Sequence, residues 1–366
     1  MLTNPFPQAF GIDINDFSIK LVQLKNTSFL KKSPQYSPVL VRSITLPKGL
    51  IVKGEIVQPE PVRKRLQTLL GQTKKYSKIT SPWVVASVPE QRSFLKLTTI
   101  KKQVGDVSTA DIKQMIAKHV PYEEETSYID WQIMPQTENG HGTNVLISVA
   151  DKMIVDSYTY LLESVGLVLI GTELESLALS RAMITAPKLY KNEARALLDI
   201  GADKTLLVIY DNDSVQFSIV LDYCGEGATQ AVAKAINLEH KEAELLKHTV
   251  GIVYDKKYEK VWHALMQSTE QLFTEIERAF DFYTSHFPQA NNITHITMSG
   301  GGSIMKGLGP LLTEKLGVEA APGKPWKNLG SKKANQLSQK AGEKYARAIG
   351  LALRAADNPY FDFDTI

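Results

Sequence analysis

The chain has 366 residues and one cysteine, Cys224, which rules out an internal disulfide and fits a reducing, cytoplasmic setting. No apolar run approaches the ~20 residues needed to span a bilayer. The opening MLTNPFPQAF lacks the basic flank and long apolar stretch of a secretion signal, so a soluble intracellular chain is expected. Charge of one sign is also missing: 42 Lys and Arg against 39 Asp and Glu leave +3. That is too little to argue for nucleic acid, and no basic helix interleaved with aromatics is present. The seven histidines show no HExxH or paired-ligand spacing, so no structural or catalytic zinc is expected. No Ser-His-Asp or Cys-His arrangement can be read either. What is present, 43% hydrophobic and 22% charged residues, describes an ordinary globular protein long enough for two or more domains.

Three stretches share one design, an apolar strand that breaks into Asp and small residues. They are Phe10–Leu24 (FGIDINDFSIKLVQL), Ala196–Tyr210 (ALLDIGADKTLLVIY) and Ile293–Leu308 (ITHITMSGGGSIMKGL). In the first two a strand ends in Asp-Ile and turns tightly into a second strand. Such a turn gathers backbone N–H groups into a nest that attracts phosphate oxygens. An Asp before it suits a hydrated Mg²⁺, which needs only one or two carboxylates. In the first nest Asp13 would hold the metal, the N–H groups of Asn15, Asp16 and Phe17 would face phosphate, and Lys20 would reach back as a point charge. The second nest offers Asp199, Gly201, Ala202, Asp203 and Thr205. The alternative for each is a plain hairpin with an Asp-rich turn. The third stretch fits neither the Walker A pattern nor GxGxxG. Its glycines, Gly300, Gly301 and Gly302, would let a flat ring or sugar approach the backbone closely, beside Ser303 and Met305.

Two further candidates have bland counterparts. Glu175 heads the helix ELESLALSRAM, where a carboxylate would position an attacking water or simply favour the helix dipole. Glu244 and Lys247 lie one turn apart in AELLK, as ribose and base contacts or as a surface ion pair. Between these motifs, residues 91–169 read as strand, helix, strand, strand, helix and a final strand at Leu167–Gly171, a module of its own. There Ser108 caps a helix through Val120 that Pro121 stops, and Thr137–Thr143 is a polar turn. Ser268 and Gln271 read as the capping box of an apolar-striped helix to Phe287. Lys324–Lys344 reads as a Lys-rich, solvated stretch.

In this order and spacing the three motifs resemble the phosphate 1, phosphate 2 and adenosine motifs of the actin, Hsp70 and FtsA superfamily. Within it the chain is similar to the PilM family of type IV pilus assembly. That family opens GIDIGSSSIKLVEL, against GIDINDFSIKLVQL here. IKQMIAKHVPYEEETSYIDWQIM, ADKMIVDSYTYLLESVGL, LLDIGADKTLL, EIERAFDFY, MSGGGSIMKGL and YARAIGLALRA extend the likeness over roughly residues 10 to 355.

The resemblance implies an α/β, actin-like (ribonuclease H-like) fold of two lobes around an ATP cleft, with an inserted βαββαβ subdomain. Residues 1–90, 168–194 and 340–366 would form the first lobe, and 91–167 the insertion. Residues 195–250 and 288–339 would form the second lobe, and 251–287 a small subdomain on it. It implies ATP and Mg²⁺ as cofactors, Asp13 and Asp199 as metal carboxylates, and Asp13 with Glu175 at the reacting end of a weak ATPase. The implied partner is the cytoplasmic N-terminal peptide of PilN, a bitopic inner-membrane protein, held in a groove between first lobe and insertion. The chain would then sit at the cytoplasmic face of the inner membrane with indirect membrane contact; assembly ATPases and further copies of the chain are additional candidate partners. Two rivals stand beside this, an FtsA-like division filament and a small-molecule kinase. The first calls for an amphipathic membrane helix where this chain reads DNPYFDFDTI, and the second for a dedicated catalytic base. Asn15 and Asp16 replace a Gly-Ser pair of the family, and the Asp16 charge is expected to weaken ATP binding.

Overall fold

A computed structural model describes residues 4–28, 35–119, 123–134, 142–185, 188, 190, 192–287, 289–330 and 342–357. Two sheets share one strand order. In the first, β1 (Phe10–Asn15), β2 (Ser18–Asn26) and β3 (Tyr36–Thr45) form an antiparallel meander. After a small hairpin of β4 (Ile51–Val52) and β5 (Glu55–Ile56), β6 (Trp83–Val88) joins parallel to β1, and β10 (Val168–Leu174) parallel to β6. The second sheet repeats this. The meander is β11 (Ala194–Ile200), β12 (Thr205–Asp211) and β13 (Ser214–Leu221), with β14 (Ile293–Ser299) and β15 (Glu319–Pro322) added parallel beyond β11. The orders β10-β6-β1-β2-β3 and β15-β14-β11-β12-β13 correspond strand for strand. Every residue of β1 is buried, and all of β11 but Arg195, as expected of central strands covered on both faces.

Helices cover those faces. On the first sheet, α1 (Pro59–Leu69) and α3 (Lys152–Glu163) seal one side through Val62, Leu66, Tyr158 and Leu162. On the other side α4 (Glu175–Met183) and α9 (Ala346–Ala356) cross at contact distance. A Cβ on Gly350 would lie 1.8 Å from the Ala178 carbonyl oxygen, and one on Gly11 2.4 Å from the Ala352 nitrogen. Both glycines are therefore demanded by packing, and that packing lays α9 across the central strand β1 with its first turn beside the strand ends. The second sheet is covered by α5 (Gly225–Ile236), α6 (His240–Val250), α7 (Glu259–His286) and α8 (Leu308–Leu316).

The segment between β6 and β10 corrects one expectation. Its strands β7 (Ser93–Ile100), β8 (Ser127–Ile133) and β9 (Thr143–Asp151) pair in the order β7-β9-β8, with α2 (Thr109–His119) over them and a small core of Ile100, Ile112, Val145 and Ile147. The strand read at Leu167–Gly171 is β10, and it leaves this segment to pair with β6. Hydrogen-bond donors and acceptors at the edge of β6 would otherwise be buried unpaired, so the first sheet claims it. Nor is the segment isolated: β7 meets the outer edge of β13 at Phe217 and Lys96, continuing the second sheet to eight strands. Ser108 caps α2 reciprocally with Asp111, its hydroxyl accepting the Asp111 N–H at 3.3 Å while the carboxylate accepts the Ser108 N–H at 2.9 Å. Val120 and Pro121 lie outside the described residues, as do most of the turn at 137–143, residues 331–341 and the tail beyond 357. The capping box at Ser268 does not form. Helix α7 begins nine residues earlier, and Ser268 sits inside it with its hydroxyl on the Leu265 carbonyl, because the apolar stripe already runs back through Leu265 and Val261.

Candidate functional site

β1 and β11, equivalent strands of the two sheets, end at a common cavity of about 200 Å³. Asn15, Lys20, Asp199, Gly201, Gly301 and Arg347 are among the residues lining it. Asp13 and Asp199 sit at those strand ends, each almost fully buried. Ser87 donates its hydroxyl to Asp13 Oδ1 at 3.2 Å, and Ser299 donates to Asp199 Oδ1 at 2.7 Å. The other oxygen of each carboxylate faces the same guanidinium: Arg347 Nε lies 3.6 Å from Asp13 Oδ2 and 3.3 Å from Asp199 Oδ2. Lys20, opposite Asp13 in the antiparallel register, adds a contact at 3.5 Å.

Glu175 closes the network behind them, at the N-terminus of α4. Its Oε1 is 2.6 Å from Arg347 Nη1, and its Oε2 is 2.7 Å from Lys204 Nζ and also accepts the Glu90 N–H at 3.2 Å. Glu90 returns the favour through a hydrogen bond from the Ser176 N–H at 3.1 Å, with its other oxygen on the Ser218 hydroxyl of the second sheet. Charges buried this deeply need partners, and here each cation serves several anions. Burial alone would raise the Asp13 carboxyl, but Arg347, Lys20 and Lys204 more than offset it and hold it below its ordinary value. Burial likewise opposes the Arg347 charge, and Asp13, Glu175, Asp199 and Asp203 together push its pKa well above normal. Glu90 is raised by burial, helped by the neighbouring Glu175 charge. Asp203 is also raised by burial, with Lys204 and Arg347 only partly offsetting it, and one of its oxygens is buried without a hydrogen-bond partner.

The sequence-derived candidates divide. Asp13, Asn15, Phe17, Lys20, Asp199, Gly201, Ala202, Gly300 and Gly301 gather at or beside the cavity. The first turn, though, is not an open nest. The Asn15 side-chain oxygen accepts the N–H groups of Phe17 at 3.1 Å and Ser18 at 3.0 Å, so those donors are already taken. Asp16 turns toward the small hairpin, its carboxylate accepting the N–H groups of Lys53 at 2.6 Å and Gly54 at 3.0 Å. Of the three glycines only Gly301 has open space beside it. A Cβ on Gly300 or Gly302 would strike Ile200 at 2.3 or 2.2 Å, so those two serve packing against the end of β11. Ser303 is buried with its hydroxyl on the Gly300 carbonyl, Met305 belongs to the second lobe's core, and Thr205 is fully buried. Glu244 is exposed, whereas Lys247 is buried and donates to the Gly225 carbonyl at 2.8 Å and the Thr229 hydroxyl at 2.7 Å, which replaces the surface ion pair.

Sequence reading missed Arg347, Lys204 and Glu90. Arg347 carried the clearest signal: it stands in the first turn of a helix of apolar and small residues whose one other charge, Arg354, lies in the last turn, and such a charge is buried only when paired. Asp13 and Asp199 do not fit a magnesium ion between them as they stand, since that space is spanned by Arg347, whose Nε faces the inner oxygen of both.

Over residues 11–356 the sequence matches the model of the family described as Type IV pilus assembly protein PilM. The chain belongs to the PilM family. Among solved structures it is similar to the PilM-PilN type IV pilus biogenesis complex, with a TM-score of 0.78 and 23% identity, covering 96% of this chain and 100% of that one. It is also similar to the ethanolamine utilization protein EutJ from Carboxydothermus hydrogenoformans, with a TM-score of 0.53 and 14% identity over 96% and 92% of the two chains. Those likenesses establish the actin-like fold. Cell division protein FtsA of Bacillus subtilis (strain 168) is 22% identical over 231 residues, 60% of this PilM-family chain and 50% of FtsA. The chain thus spans about half the length of that curated relative. No helix among the described residues is long and apolar enough to cross a membrane.

Proposed function

We propose that this PilM-family protein is a holding scaffold of a type IV pilus assembly platform, with peptide capture as its working activity and the interlobe cleft as a structural ligand site. The observation that carries the scaffold reading is the saturation of Glu175. Its two oxygens are held by Arg347, Lys204 and the Glu90 N–H, and a carboxylate committed to two buried cations is set to hold the lobes rather than to present itself to an attacking water. The cavity is smaller than the roughly 300–1,000 Å³ of typical small-molecule sites. Lys20, Lys344 and Arg347 line it and suit phosphate groups, so an adenine nucleotide would enter only as the lobes part.

The partner that supports best is the cytoplasmic N-terminal peptide of a PilN-like inner-membrane protein, the reading that family membership favours. Its seat is assigned to the groove where α3 meets β8. Met153 stands 63% exposed there, beside a space of about 570 Å³ lined also by Asp151, Lys152 and Asp156. An apolar side chain flanked by both charges suits a peptide that carries one anchor and a charged neighbour. Calorimetric titration with a synthetic peptide of that N-terminus is expected to give saturable binding, weakened about tenfold or more by M153D. Absence of binding, together with phosphorylation of a metabolite by the same protein, would replace the scaffold with a kinase.

A further inference from the structure

The cleft carries a disagreement with the metal chemistry its fold implies. One nitrogen, Arg347 Nε, lies between a carboxylate of the first lobe and one of the second, 3.6 Å from Asp13 Oδ2 and 3.3 Å from Asp199 Oδ2. The remaining oxygens of the pair are held by the Ser87 and Ser299 hydroxyls. At its far end the same guanidinium engages Glu175 at 2.6 Å. Magnesium needs near-octahedral oxygens at about 2.0–2.1 Å and keeps most of its waters. A dication placed here would meet a permanent positive charge that cannot lose its proton.

We infer that Arg347 stands in place of a divalent cation, joining Asp13 to Asp199 across the lobes so that the closed cleft needs no magnesium. Three features of the chain agree. Arg347 is fixed by α9, which is locked onto β1 and α4 through Gly11 and Gly350. Its charge is shared among three carboxylates rather than committed to one. Lys204 supplies the second cation that Glu175 would otherwise lack. The consequence is a cleft whose closure is set by the polypeptide rather than by metal supply. The inference rests on the cleft being the family's ligand site, but its test uses magnesium alone, so it stands or falls separately from nucleotide or peptide binding.

The experiment is thermal unfolding of the full chain with magnesium chloride raised to millimolar levels at constant ionic strength. The wild-type midpoint is expected to stay within about 1 °C; R347K, which keeps a positive charge but cannot also span to Glu175, is expected to start lower yet to gain no more from magnesium than wild type. R347A is expected to unfold at lower temperature and to recover about 2 °C or more with magnesium, because the vacated carboxylates then bind it in the folded state only. That recovery should vanish in the double variant D13N/R347A. If R347A is unfolded without magnesium, its refolding on magnesium addition, followed by circular dichroism, gives the same readout. A wild-type midpoint that climbs with magnesium, or an R347A protein that gains nothing from it, overturns the inference.

Discussion

At the scale of single residues, the cleft contains two buried glutamates with opposite roles. Glu175 is held by two cations, so E175Q leaves Arg347 and Lys204 short of a partner; a loss of about 3–5 kcal/mol in urea unfolding at neutral pH is expected, as for other broken buried ion pairs. Glu90 is held by hydrogen bonds instead, and its carboxyl is raised. A raised acid contributes stability below its unfolded pKa and loses it as pH climbs through the folded one. E90Q is therefore expected to match or exceed the wild type at neutral pH, since an amide can accept from the Ser176 N–H and donate to Ser218. A large destabilisation of E90Q, or none for E175Q, would contradict this charge assignment. Asp13, Asp199 and Lys20 were legible in the sequence because each sits at a strand end beside a turn. Arg347 was not, since it lies 148 residues beyond Asp199 and 334 beyond Asp13 and reaches the cleft only through the crossing of α4 and α9.

At the scale of elements, the lobes also meet at the mouth of the cleft. Lys48, between β3 and β4, pairs with Glu226 in the first turn of α5, which His240 also contacts at 2.9 Å. Burial works against the Glu226 charge, but bonds from Lys48, Gln230 and His240 outweigh it and lower the carboxyl to about 2 from an ordinary 4.5. A lowered acid contributes stability above its unfolded pKa, and that contribution fades as pH falls through the folded value. The stability gap between wild type and E226Q, measured by urea unfolding, should therefore be full above about pH 4.5 and shrink toward pH 2. A gap that is constant with pH would place the Glu226 effect in packing. Strands and helices were read well where periodicity is strong, as at β1, β11 and α9. The start of α7 and the partner of β10 were not, because a serine inside a helix mimics a cap and strand pairing is a long-range choice.

At the scale of the whole molecule, the repeated strand order explains why two similar hairpins recur in the sequence. Each opens the antiparallel meander of its sheet, and the two sheets bring them to one cavity. The duplication was visible from residues 10–24 and 196–210, and it carried the fold. What it did not convey is that the two halves are joined by protein charge: Arg347, Lys204 and Glu175 form one buried network that spans both lobes. Such a cleft holds its parts in place, with Glu175 tied to one cation from the first lobe's last helix and one from the second lobe. The most direct measurement is steady-state ATP turnover by the full chain with magnesium and the PilN-like peptide present. A rate orders of magnitude below ~1 s⁻¹, the lower end of ordinary enzymes, is the predicted result. Turnover at about 1–100 s⁻¹, to water or to a metabolite acceptor, would contradict the account.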